Sequence, residues 1–141
     1  MIHISQSEDA THAWGVTLGK ALKGGEIITL SGPLGAGKTV LVRGMAQGLG
    51  VTSHVKSPTF TLMRIMEGKD GKSVCHIDCY RMEEGALSPV QEWSEWLGHK
   101  NVVSIIEWPE RLGSFLQNYK VLAFQVEYGT NENERRIIYE Q

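Results

Sequence analysis

Residues Gly32-Pro33-Leu34-Gly35-Ala36-Gly37-Lys38-Thr39 fit the pattern G-x-x-x-x-G-K-[ST], the phosphate-binding loop of nucleotide triphosphatases. No other stretch constrains the fold as tightly, because the pattern belongs between a strand and a helix. The glycines let the backbone turn around an anion, since they lack a Cβ and accept positive φ. Successive N–H groups then form an anion nest. A lysine at position 38 reaches the outer phosphates, and a hydroxyl at 39 ligates Mg²⁺. A helix that starts here turns its positive end toward the phosphates. The flanks agree. Glu26-Ile27-Ile28-Thr29-Leu30 reads as a short buried strand. Lys38 to Leu49 reads as a helix, with Leu41, Met45 and Leu49 on one face.

A chain of 141 residues and 15.7 kDa predicts one compact domain spanning residues 1–141. An apolar share of 41% is enough for a normal core at this length. A formal charge of −2 and a pI near 6.2 give no electrostatic case for direct nucleic-acid binding. The segment Met1-Ile2-His3-Ile4-Ser5-Gln6 lacks a signal peptide's basic flank and apolar run, and no stretch reaches membrane-span length. The expectation is a soluble cytoplasmic protein with no membrane partner. The two cysteines, Cys75 and Cys79, would share one strand face ~13 Å apart, too far for a disulfide. Cys75, His76 and Cys79 lack zinc-knuckle spacing and a fourth ligand, so buried thiols are expected.

Residues 2–5 suggest a short edge strand. Ser5-Gln6-Ser7-Glu8 has capping-box spacing. A helix should follow to about Lys23, with Ala10, Trp14, Leu18, Ala21 and Leu22 as its apolar face. Gly24-Gly25 supplies the stop. After the phosphate-loop unit, Ser57-Pro58-Thr59-Phe60 is a loop signal, because Pro58 pushes Ser57 toward extended geometry. Thr61 to Glu67 and Ser73 to Cys79 read as a hairpin around Gly68-Lys69-Asp70-Gly71. Glu83 to Leu97 has mixed helical character, broken near Pro89. Val102-Val103-Ser104-Ile105-Ile106 is the most apolar strand, and Glu107 ends it. Val121 to Glu127 and Arg136 to Tyr139 form a closing hairpin around Gly129-Thr130-Asn131. The predicted fold class is α/β of the phosphate-loop (P-loop) NTPase type: one mixed β-sheet flanked by helices on both faces, with antiparallel hairpins.

Ligands of such sheets collect at the C-terminal ends of the strands. That rule puts the glycine loop, Asp78 and Glu107 on one rim. Glu107 stands where these proteins carry an acidic residue that holds Mg²⁺ or orients water; a solvated strand-end glutamate is the plain alternative. Asp78 is a second carboxylate for one hydrated Mg²⁺ beside Thr39, or an ordinary capping aspartate. Ser57, Thr59 and Thr61 suit either turn chemistry or a switch loop that follows the γ-phosphate. Trp108 suits a place beside the site, a partner contact or the core. Trp93 and Trp96 suit burial against the sheet or, if exposed, an interface. Of the adjacent pair Arg135 and Arg136, one is a candidate nucleotide contact and a surface hairpin arginine is the alternative.

Gly35-Ala36-Gly37-Lys38-Thr39, Ser57-Pro58-Thr59-Phe60-Thr61-Leu62, His76-Ile77-Asp78-Cys79-Tyr80-Arg81 and Ile106-Glu107-Trp108-Pro109-Glu110 occur in this order at these spacings. Together they resemble the bacterial TsaE (YjeE) family, the small ATPase of tRNA threonylcarbamoyladenosine synthesis. The motifs span residues 32–110. The first is widespread and the other three are specific in combination. The resemblance implies ATP and ADP as ligands, Mg²⁺, and hydrolysis that is slow without partners. It implies a threonylcarbamoyl-transferase subunit and that subunit's inactive-homologue companion as partners, with tRNA met indirectly through the complex. Carried over by motif, Gly35, Ala36, Gly37, Lys38, Thr39 and Val40 would surround the phosphates. Thr39 and Glu107 would hold Mg²⁺, Asp78 would lie at the nucleotide and Trp108 would flank it. Lys38, Thr39, Glu107 and Asp78 are the implied catalytic set. Glu8 and Arg135 or Arg136 are looser carry-overs toward the adenine. Pro33 and Val40 depart from the aspartate and second threonine frequent in the family, and residues 84–100 match its pattern poorly.

The expectation is therefore a Mg²⁺-dependent ATPase within a tRNA-modifying assembly. A small-molecule kinase would need an arginine-bearing lid, and no arginine-rich segment is present. A nucleotide-gated binding module without turnover is the other rival. A GTPase is disfavoured because no N-K-x-D motif occurs.

Overall fold

The computed structural model describes residues 1–52, 63–82 and 93–140. Its elements run β1 (Ile2–Ser5), α1 (Glu8–Ala21), β2 (Ile27–Ser31), α2 (Lys38–Gly48), β3 (Met63–Glu67), β4 (Ser73–Asp78), β5 (Val102–Glu107), a one-turn 3₁₀ helix (Pro109–Leu112), β6 (Leu122–Tyr128) and β7 (Arg135–Tyr139). The strands form one seven-stranded sheet in the order β1-β7-β6-β2-β5-β4-β3. β2 is parallel to β5 and β6, and β4 is parallel to β5. The three outer pairs, β1–β7, β6–β7 and β3–β4, are antiparallel. This is the mixed α/β sheet that the strand, glycine-loop and helix pattern predicts, with both hairpins in place. The expected segments around Ser57, Thr59 and Thr61, and most of the expected 83–97 helix, lie outside the described residues.

The inner strands read as near-continuous apolar runs because both of their faces are covered. Every residue of β5 is buried. On one face Ile28, Leu30, Val74, Val103 and Ile105 meet Leu41, Met45 and Leu49 of the phosphate-loop unit, with Trp14, Leu18 and Leu22 packed around them. On the other face Ile27, Cys75, Ile77 and Ile106 meet Trp93, Leu97 and Leu112. Trp93 is a buried core side chain, and the partly buried Trp96 packs against this second cluster. Among the described residues, α1 and α2 both lie on the first face. Among the described residues, Leu112 of the 3₁₀ turn, Trp93 and Leu97 cover the second face.

The N-terminus of α1 is a further correction. Ser7, not Ser5, is the N-cap: its backbone is extended and its hydroxyl accepts from the Ala10 N–H at 3.0 Å. Ser5 is buried instead, donating to Ser7 O at 2.9 Å and meeting the Thr11 hydroxyl at 2.6 Å. The expected apolar face is also displaced. Ala21 is exposed, and the buried stripe is Thr11, Gly15 and Gly19. α1 lies backbone to backbone on α2. A Cβ on Gly15 would stand 2.9 Å from Leu41 O and 3.1 Å from the Gly44 Cα, and Gly19 is as tightly opposed by Met45 and Gly48. Such a glycine seam carries no hydrophobic signal in the sequence.

Candidate functional site

At the C-terminal ends of β2, β4 and β5 a cavity of about 430 Å³ opens, a size that suits a small ligand. Its floor is the glycine loop. Gly35 and Gly37 take φ of 76° and 99°, a region that disfavours any side chain. Gly37 is the N-cap of α2, and no side chain caps that end. The first turn of α2 carries no acidic residue. A helix N-terminus in this condition offers N–H groups and positive potential to an anion. A Cβ at Gly37 would meet nothing within 4 Å, so the bare backbone borders open space.

The outer side of the loop is tied down through its carbonyls. Lys38 Nζ donates to Gly32 O, and to Pro33 O at 3.1 Å. The Tyr128 hydroxyl donates to Leu34 O. Arg135 Nε donates to Ala36 O at 3.1 Å, while the guanidinium lies over the Tyr128 ring at 5.1 Å. Two residues of the closing hairpin thus clamp a loop roughly a hundred positions earlier in the chain.

Lys38 is only 5% exposed. Its ammonium sits 4.0 Å from the centre of the Trp108 ring, a cation–π arrangement. Burial pulls its pKa below the ordinary value, and the charges of Glu107, Glu110 and Asp78 oppose that shift. Trp108 reaches this place by an unusual backbone. Its φ is 60°, which costs a non-glycine residue ~1 kcal/mol or more. Its N–H donates to Leu30 O at 3.2 Å, so the kink is pinned to β2. Tyr80 packs against the same indole with ring centres 5.1 Å apart.

Asp78 and Glu107 are register partners on neighbouring parallel strands, so both carboxylates point to the same face. The Asp78 carboxylate accepts from the Tyr80 N–H at 3.0 Å. Burial raises the Asp78 pKa and the Glu107 charge adds to the rise, while the Tyr80 hydrogen bond and the Lys38 charge oppose it. Glu107 is almost fully buried, and one of its oxygens lies 2.7 Å from Nε2 of His76.

Gly35, Gly37, Lys38, Thr39 and Val40 line the cavity, as do Asp78, Glu107, Trp108, Glu8 and Arg135. Ala36 is fully buried in the loop and does not line the cavity. Arg136 is also outside it, and pairs across the hairpin with Glu127 at 3.9 Å. Strand alternation puts neighbouring arginines on opposite faces, so only Arg135 reaches the site. Arg43, Tyr80 and Asn133 line the cavity without having been singled out as site residues in the sequence. Arg43 follows Thr39 by one helical turn and Tyr80 follows Asp78 by two residues, spacings that place them nearby. Asn133 had no such signal.

Thr39, Asp78 and Glu107 are a donor set that would suit a hydrated magnesium ion. A hydroxyl and two carboxylates are hard oxygen ligands, and Mg²⁺ keeps several waters rather than demanding an all-protein cage. Among the described residues no group of three His, Cys, Asp or Glu side chains forms a metal site. Both cysteines are free and buried, which agrees with the expectation of buried thiols. No helix among the described residues is long and apolar enough to cross a membrane.

The profile of the family described as threonylcarbamoyl adenosine biosynthesis protein TsaE matches residues 5–138. The chain belongs to the TsaE family. Among its relatives, the tRNA threonylcarbamoyladenosine biosynthesis protein TsaE of Treponema pallidum is 38% identical over 121 residues, covering 84% of this chain and 85% of that protein. The TsaE protein of Synechocystis is 42% identical over 107 residues, covering 74% and 67% respectively. The crystal structure of YdiB from Bacillus subtilis superposes with a TM-score of 0.80 at 26% identity, covering 99% of this chain and 83% of YdiB. TsaE membership and this likeness agree with the sheet order and the phosphate-loop geometry described above.

Proposed function

We propose that this TsaE-family chain binds Mg·ATP in the cavity, hydrolyses it to ADP and phosphate, and serves the assembly that installs threonylcarbamoyl on the tRNA adenosine beside the anticodon. The observation that carries the reading is the uncapped helix end at Gly37, with Lys38 beside it and the Asp78–Glu107 pair across the cavity. Positive and negative groups face each other there across space for a polyphosphate and its cation.

Each residue has a task in this reading. The amides from Gly35 to Val40 hold the phosphate tail. Lys38 exchanges its carbonyl partners for phosphate oxygens, and burial strengthens that contact because the surrounding dielectric is low. Thr39 and Glu107 hold Mg²⁺, with Asp78 beside them. The metal supplies Lewis-acid stabilisation of developing negative charge. Trp108 keeps water from one side of the ammonium. Arg135 holds the loop from behind, and Glu8 and Arg43 border the end of the cavity suited to the nucleoside.

The chain then acts on protein partners, the transferase subunit and its inactive homologue, rather than on tRNA directly. A near-neutral net charge supports this, since nucleic-acid affinity rests on neutralising phosphates with cations. Such an assembly would work in the cytoplasm. ATP turnover would reset the transferase between rounds. Isothermal titration with Mg·ATP and phosphate release, each with and without the transferase pair, tests the reading. Lys38→Ala should weaken nucleotide binding by about 100-fold, the equivalent of ~3 kcal/mol for a charged contact. Glu107→Ala should keep binding and lose turnover. Absence of binding heat in folded wild-type protein would refute the proposal.

A further inference from the structure

His76 is fully buried, at 0% exposure. It stands on β4 in a row with Val74, beside Ile105 of β5 in register. These neighbours are apolar core residues. A histidine held for packing alone is poorly suited to such a place, because burying its polar ring without hydrogen bonds costs ~1–3 kcal/mol. Its ring makes one polar contact: Nε2 lies 2.7 Å from Glu107 Oε2. Nδ1 meets no partner among the described residues. The polar purpose of His76 is therefore spent on one carboxylate. A carboxylate only accepts, so Nε2 carries the proton and donates.

We propose that His76 is the positioning residue for Glu107, fixing one carboxylate oxygen from inside the sheet so that the other is presented to the cavity in a single orientation. The proposal rests on Glu107 acting as the Mg²⁺-side carboxylate in the function proposed above. The register explains why a separate residue is needed. Asp78, not His76, is level with Glu107, so His76 reaches diagonally toward the strand end and meets the carboxylate from beneath. Asp78 can then share the rim with Glu107 without having to hold it. A magnesium ion tolerates little departure from octahedral geometry, and a carboxylate free to rotate would sample many unproductive positions. Partners that orient a ligand from behind typically change metal affinity or activity by about 10- to 100-fold when removed.

The first test needs no nucleotide. In ¹⁵N-histidine-labelled wild-type protein, the imidazole spectrum should show Nε2 of His76 protonated and its proton slow to exchange. Glu107→Ala should shift that signal and speed its exchange. An unprotonated Nε2 in the folded wild type would overturn the proposal. The second test compares His76→Leu with His76→Gln, whose amide N–H can stand in for Nε2–H. His76→Leu should raise the Mg²⁺ concentration for half-maximal turnover and lower kcat by about 10- to 100-fold, with metal-free ATP affinity unchanged. His76→Gln should recover most of both. If His76→Leu does not fold, the more adaptable His76→Met takes its place. A folded apolar variant with wild-type Mg²⁺ dependence, or a folded glutamine variant that recovers nothing, would sink the proposal. Should wild-type protein bind no Mg·ATP, the proposed function fails, while the nucleotide-free spectrum still decides the His76–Glu107 contact.

Discussion

Ser7 shows how one atom sets where an element begins. Ser5 and Ser7 both precede the same run of helix formers, and Ser5-x-x-Glu8 has the better textual claim to the cap. Ser5 is drawn instead into the contact with Thr11, where β1 turns into α1. Ser7 then takes the cap and satisfies the Ala10 N–H. Ser7→Ala should cost ~1 kcal/mol of stability, measured by urea unfolding, and should speed amide exchange at Ala10. At the site, residue type and strand position were enough to single out Glu107 and Asp78. The cavity-side role of Arg135 against Arg136 was not legible, because it depends on which way β7 faces.

At the scale of elements, the seam between α1 and α2 is the feature that ordinary hydrophobic periodicity passes over. Trp14, Leu18 and Leu22 have helical spacing and do pack on the core. They flank the contact rather than make it. The contact itself is Gly15 and Gly19 against Gly44 and Gly48, where only hydrogen fits between the two backbones. Helix propensity alone predicts that Gly19→Ala gains ~1 kcal/mol. Overpacking predicts the opposite, a loss of ~1–3 kcal/mol, and should win because the opposing atoms are backbone. Urea midpoints should fall for Gly19→Ala. They should rise slightly for Thr17→Ala, an exposed position on the same helix whose hydroxyl bonds back to Ala13 O. The strands were easier to read. β5 and β2 are apolar on both faces, and the two hairpins announce themselves through Gly68 to Gly71 and Gly129 to Asn131.

Across the whole molecule, the sheet separates two chemistries. The face under α1 and α2 ends in the charged rim of Lys38, Asp78 and Glu107. The other face is sealed by Trp93, Leu97 and Leu112, and it holds Cys75 and Cys79. Burial pushes both thiols from an ordinary value near 9.0 up to about 12. The sign follows from linkage. The folded state favours the protonated thiol, so this contribution to stability is complete below pH 9.0 and is lost as pH rises toward about 12. Thermal midpoints should fall across that alkaline window. A thiol reagent at pH 8 should label neither cysteine in native protein and both after guanidinium unfolding, since only the exposed thiolate reacts.

The sequence alone determined the phosphate loop, the strand before it, the helix after it, both hairpins and the acidic ends of two strands. These are local matters, governed by glycine φ, residue alternation and turn chemistry within a few positions. Tertiary structure alone decided that Tyr128 and Arg135 grip the loop, that His76 stands behind Glu107, that Ser7 displaces Ser5, and that two helices meet through glycine. Each of these depends on which distant backbone comes alongside, and that is set by the packing of the whole sheet rather than by any window of the chain.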